Sequence, residues 1–164
     1  MHMRQFLIAL SVSLAFIGTP LAADWQTYQN PRFGTVAEVP ADFIAGEEPQ
    51  NGDGLKFFDV DSDGEINVYG AFNVMGDDLA GYRDFLLQIY KDGGWTIGRE
   101  NSGDTWFMVS AKREDRRLFL RVEHGAGCAA ELLHHIEFRY PADAQKRWQS
   151  FIKHGAESLD GPCP

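Results

Sequence analysis

The chain has 164 residues, with 24 acidic side chains against 15 lysines and arginines, a formal net charge of −9 and 44% hydrophobic residues. That length fits one domain with an ordinary core. The acid excess argues against nucleic-acid binding, which needs a cationic surface for the phosphate backbone.

Residues 1–23 read as a cleavable signal peptide: Arg4 supplies the positive start, Phe6 to Ile17 the apolar run, and Gly18-Thr19-Pro20 breaks it before Leu21-Ala22-Ala23. Cleavage is expected before Asp24. The apolar run is shorter than the roughly 20 residues that span a bilayer, and no second long apolar stretch follows. The mature chain is therefore expected to carry no integral membrane segment and to be periplasmic or secreted. No cysteine lies near the cleavage point to accept a lipid. Cys128 and Cys163 are the only cysteines, and an even number in an oxidising compartment favours a disulfide between them.

Residues 24–164 are expected to form a single α+β domain. Trp25 to Tyr28 and Thr35 to Val39 read as short strands around the turn Asn30-Pro31-Arg32-Phe33-Gly34. Leu55 to Val60 and Glu65 to Val74 read as a longer hairpin. A two-residue Asp63-Gly64 turn would set Leu55 opposite Phe72 and Phe57 opposite Gly70. Asp77 or Asp78 can cap a helix running to about Tyr90, with Leu79, Tyr82, Phe85, Leu86 and Ile89 on its apolar face and Gly93-Gly94 after it.

Strands follow at about 95–99, 105–112, 116–124 and 132–140. A turn at Glu114-Asp115 sets Val109 opposite Leu120 and Phe107 opposite Val122, and a turn near Cys128 sets Leu120 opposite Ile136 and Leu118 opposite Phe138. A second helix at about 142–158 carries Ala144, Trp148, Phe151 and Ile152 on one stripe. Apolar residues on both faces of the strands call for cover on both sides, giving an α/β/α sandwich around a mainly antiparallel sheet.

The opening WQTYQNPRFGTVAEVPADF, the segment NGDGLKFFDVDSDGEINVYG, and the order helix, strand meander, then a helix entered from FRYPADAQKRW together resemble the PsbP-like domain family. The resemblance covers nearly all of the mature chain and lies in element order and turn placement. It implies a compact α/β/α sandwich serving as a binding or assembly module. Its relatives include an extrinsic photosystem subunit, a nuclear-transport accessory factor and bacterial exported members of unassigned function. No partner-binding motif of those relatives is visible in this sequence.

Asp59-Val60-Asp61-Ser62-Asp63-Gly64-Glu65-Ile66-Asn67 matches the first nine positions of a calcium loop, so Asp59, Asp61 and Asp63 are candidate metal ligands. Gly70 stands where the twelfth-position glutamate is needed, and strand-like flanks replace helices. A polar hairpin turn is the competing reading. His134 and His135 are neighbours on a predicted strand and point to opposite faces. His124 and His134 would share one face. No G-x-S-x-G or phosphate loop occurs, so no catalytic residue is assigned and no cofactor is expected, with calcium at the aspartate turn as the alternative.

Charge is unevenly spread. Residues 37–84 hold twelve acids against Lys56 and Arg83, a net of −10, whereas residues 91–164 hold eleven of each sign. The first segment makes an acidic pole suited to a positively charged partner surface, to cations, or simply to solubility. The function expected is an exported, non-catalytic binding or assembly module of the cell envelope with a protein partner. The alternatives are a weak calcium-binding protein or an envelope enzyme with a cryptic site.

Overall fold

The computed structural model describes residues 24–76, 78–125 and 127–164. The expected signal peptide, and Asp77 as an alternative cap, lie outside the described residues. β1 (Trp25–Gln29) and β2 (Val36–Pro40) form a two-stranded antiparallel ribbon. β3 (Ile44–Ala45), β4 (Gly54–Asp59), β5 (Gly64–Phe72), β6 (Thr96–Ser102), β7 (Trp106–Arg113), β8 (Arg116–Glu123) and β9 (Leu132–Pro141) form a seven-stranded sheet in the order β3-β4-β5-β9-β8-β7-β6. Every pairing is antiparallel. α1 (Leu79–Asp92) sits between β5 and β6 in the chain, and α2 (Gln145–Glu157) follows β9 through one short 3-10 turn. The chain is thus a single α+β domain with helices on both faces of an antiparallel sheet.

The last strand lies at the centre of the sheet. β9 is buried along nearly its whole length because β5 and β8 flank it and both faces are covered. On one face α2 and the β1–β2 ribbon close a core of rings: Trp148, Phe151, Phe43, Phe57 and Phe138 with Ile66, Val68 and Ile136. On the other face α1 closes a second core of Leu87, Phe107, Val109, Leu118, Leu120, Val122 and Leu133. We call these the α2 face and the α1 face.

The Glu114-Asp115 turn lies where expected, with Val109 opposite Leu120 and Phe107 opposite Val122. Two other registers differ. Leu120 faces Glu137 rather than Ile136, and Phe119 rather than Leu118 faces Phe138. A one-residue slip moves a whole strand's side chains to the other face, so Ile136 and Phe138 pack under α2 while Leu118 and Leu120 pack under α1. The residues Leu132-Leu133-His134-His135 come in like pairs and alternate too weakly to fix the register alone.

The β4–β5 hairpin closes with Asp59 opposite Gly64, not on a two-residue turn, which sets Leu55 opposite Val68 and Phe57 opposite Ile66. The cause is local: the Asp59 carboxylate accepts the Asp61 N–H at 3.0 Å and the Ser62 hydroxyl, so residues 60–63 form a self-bonded loop. Asp63 adopts a left-handed φ of 50° before the strand resumes. The bare face of Gly70 is covered by Phe33, whose Cβ lies 2.3 Å from where a Gly70 Cβ would stand.

Candidate functional site: a half-open sheet face beside α1

Neither helix is broad enough to cover seven strands. α1 lies over β9, β8, β7 and β6, and its orientation is fixed from both flanks. On one flank Arg83 approaches Glu100 of β6 at 4.0 Å. On the other, the Tyr82 hydroxyl lies 3.0 Å from His135 Nε2 of β9. The residues next round from Tyr82, Phe85 and Ile89, therefore face the β5–β4–β3 half of the sheet. Among the described residues no helix lies over that half, and the two side chains remain 40% and 47% exposed.

This corrects the sequence expectation for α1. Its buried residues are Tyr82, Leu87 and Tyr90, so the expected stripe of Leu79, Tyr82, Phe85, Leu86 and Ile89 is wider on the β5 side than the core uses. The uncovered floor carries Lys56 and Phe58 of β4, Asn67 and Tyr69 of β5, and Ile44 of β3. Ile44 and Phe58 are 57% and 39% exposed. A hollow of about 330 Å³ opens over Lys56, Phe58, Asn67 and Tyr69, with Glu47 and Asp53 at its rim. Lys56 pairs with Glu65 at 3.1 Å and Asp53 pairs with Arg32, so Glu47 carries the excess negative charge at the rim. Large apolar side chains left open beside carboxylates mark an interaction face.

Under the edge of α1 lies a polar network that the sequence reading missed. His135, Glu137 and Arg139 alternate along the α1 face of β9. Tyr69 stacks on His135 with ring centroids 4.3 Å apart. The Tyr90 hydroxyl donates to Glu137 Oε2, and the other carboxylate oxygen pairs with Arg139. Burial drives the His135 pKa down to about 3, so the ring is neutral at neutral pH. Burial likewise pushes Tyr82 up to about 12 and raises Tyr69 and Tyr90, helped in both by the Glu137 charge. The network thus fastens α1 to the central strand through neutral rings and one paired carboxylate. Its trace in the sequence is the spacing His135-x-Glu137-x-Arg139, three polar residues on one face of an apolar strand.

Asp59, Asp61 and Asp63 do not converge. Asp59 is buried, with its carboxylate bonded within the turn and to Arg147 at 3.1 Å. Asp61 lies 3.5 Å from the same guanidinium, and Asp63 points outward toward Arg116 at 3.4 Å. Among the described residues no three His, Cys, Asp or Glu side chains form a group that could hold a metal ion. His134 is engaged at both ring nitrogens, by Thr35 Oγ1 at 2.8 Å and the Pro162 carbonyl at 3.0 Å. His124 contacts the Gly125 carbonyl. Cys128 and Cys163 are joined in a disulfide, with Cα atoms 5.5 Å apart. The tail it anchors also pairs its backbone with β2, between Val36 and Asp160. No helix among the described residues is long and apolar enough to cross a membrane.

No protein-family model matches the chain, and no curated protein matches its sequence. Solved structures do. The solution structure of cyanobacterial PsbP (CyanoP) from Synechocystis sp. PCC 6803 superposes with a TM-score of 0.63 at 15% identity, covering 92% of this chain and 98% of that one. The Ran-binding protein Mog1p of Saccharomyces cerevisiae superposes at 0.60 with 11% identity, covering 85% and 96%. At those identities the likeness establishes a PsbP-like fold.

Proposed function

We infer that this protein is an exported, non-catalytic binding or assembly module of the cell envelope, docking a protein partner on the half-open face beside α1. The observation that carries the reading is that Phe85 and Ile89 of α1 are exposed on the same side of the sheet as the exposed Ile44 and Phe58 of β3 and β4. Burying such residues against a partner is favourable by roughly 25 cal/mol per Å² of apolar surface. The carboxylates around them select a partner with a basic rim. The shared fold adds support, since one structural neighbour is named as a Ran-binding protein. The titratable side chains beneath α1 bond to one another rather than opening into a cleft, which favours a structural role for them.

Export fits the N-terminal signal and the disulfide, with the mature chain beginning at Asp24. Intact mass of exported material should show that start and no free thiol. Docking is tested by affinity capture from an envelope extract, comparing wild type with Phe58→Asp/Ile89→Asp. A partner retained by wild type and lost in the variant, with the variant's melting temperature unchanged, supports the reading. Equal retention overturns the assignment of the face.

A further inference from the structure

The opposite face has its own uncovered half, and its chemistry is reversed. α2 and the β1–β2 ribbon close the α2 face over β4, β5 and β9, leaving β8, β7 and β6 open beside α2. An open groove of about 750 Å³ runs there, floored by Met108 and Phe119 and walled by Ile152. A second hollow of about 240 Å³ shares Ser110 and Gln145 with it and so continues it along the sheet. Four cations line the two: Arg99, Lys112, Arg117 and Lys153. No carboxylate lines either hollow among the described residues. In a chain with 24 acids to 15 bases this is a local inversion of charge.

We propose that this groove is a second docking site, one that takes an acidic, partly apolar polypeptide segment. The floor accepts apolar side chains, and the cations meet carboxylates along the rim. Gln145 and Gln149 of α2 are exposed at the wall and can both donate to and accept from a peptide backbone. Amide groups beside an apolar floor fit a polypeptide better than a phosphate chain or a flat lipid surface, because Met108 and Phe119 lie in a groove walled by α2 rather than on a flat face. The site lies on the other side of the sheet from Phe58 and Ile89, so it stands or falls independently of the face assigned above. With both faces in use, the module would bridge a basic-rimmed partner and an acidic one.

The test uses the oxidised mature protein and two fluorescent synthetic amphipathic peptides with the same apolar positions, one carrying glutamate and the other lysine at every charged position. The glutamate peptide should bind, with hydrogen-exchange protection appearing in β6 and α2. Arg99→Glu/Lys153→Glu should weaken it by about tenfold or more, and Ile152→Ser should weaken it too. Phe58→Asp/Ile89→Asp should leave its affinity unchanged. Equal affinity for both peptides, or an unaffected charge-reversed variant, overturns the proposal. So does equal binding of apolar-free polyglutamate, which would reduce the groove to a patch of charge. Low-salt self-association abolished by Arg99→Glu/Lys153→Glu would give the groove to a second copy. Retention on anionic vesicles without peptide binding would give it to a membrane.

Discussion

The two halves of the sheet are covered from opposite sides and held by different chemistry. Under α2, rings pack on rings: Trp148 stacks on Tyr140 at 5.1 Å and meets Phe43 and Phe151 edge-on at 5.6 Å each. Under α1, a core of mostly aliphatic side chains with Trp95 and Phe107 is supplemented along β9 by hydroxyl-to-imidazole and hydroxyl-to-carboxylate contacts. The difference teaches where stability and recognition reside. The α2 half is built on stacked rings with the buried, neutral His134 on the same side of β9, while the α1 half combines a titratable seam with an exposed apolar flank. Each half leaves a bare surface on its far side, acidic beside α1 and basic beside α2.

The largest expected effect breaks the ring core. Trp148 is completely buried, and its Nε1 donates to Ser62 Oγ at 2.9 Å. Trp148→Ala should therefore cost about 3–5 kcal/mol in urea unfolding, through lost burial and the cavity left behind. A cost below about 1 kcal/mol would mean that α2 does not anchor this half.

Acid should act through two buried histidines, His135 on the α1 face and His134 on the α2 face. The folded His135 pKa, near 3, lies below the ordinary value near 6.5. As pH falls from about 6.5 toward 3 the unfolded chain binds a proton that the folded chain refuses, so stability declines through that window and levels off below it. The full loss is of order several kcal/mol. Burial lowers the His134 pKa as well, in the same direction. His135→Gln should flatten the slope between pH 6.5 and 3, measured by denaturant midpoints. An unchanged slope would remove His135 as its source.

Smaller again is the expected effect of Phe85→Ser with Ile89→Ser. These side chains contribute little to the core, so stability should stay within about 0.5 kcal/mol of wild type for each substitution. A large loss would show that the α1 flank is structural rather than presented to a partner. The smallest effect concerns the aspartate turn. With Arg147 bonded to Asp59 and near Asp61, millimolar calcium should raise the melting temperature no more than magnesium at matched ionic strength. A calcium-specific rise abolished by Asp61→Asn/Asp63→Asn would restore a site there.

Much of this was legible in the sequence. Strand alternation and the Glu114-Asp115 turn give the β7–β8 register, and the stripe of Trp148 and Phe151 gives α2. The β4–β5 register was not legible, because it depends on the Asp59 carboxylate bonding its own turn. The β8–β9 register was not, because like residues come in pairs along β9. The two-residue strand β3 is too short to carry a periodic signal. The exposed flank was half legible: the apolar stripe on α1 is plain in the sequence, but that Phe85 and Ile89 stay uncovered depends on which strands the helix lies over. The basic groove was hidden because Arg99, Lys112, Arg117 and Lys153 are dispersed in the chain and gather only when β6, β7, β8 and α2 come together.

The central claim, that the uncovered floor beside α1 is a docking face, is tested most directly by site-specific photocrosslinking in the intact envelope. A photoreactive residue is placed at Phe58 or Ile89, and at exposed Glu157 on α2 as a control. One discrete adduct shared by the Phe58 and Ile89 positions and absent from the control is expected. No adduct at either position, or the same adduct from all three, would contradict it.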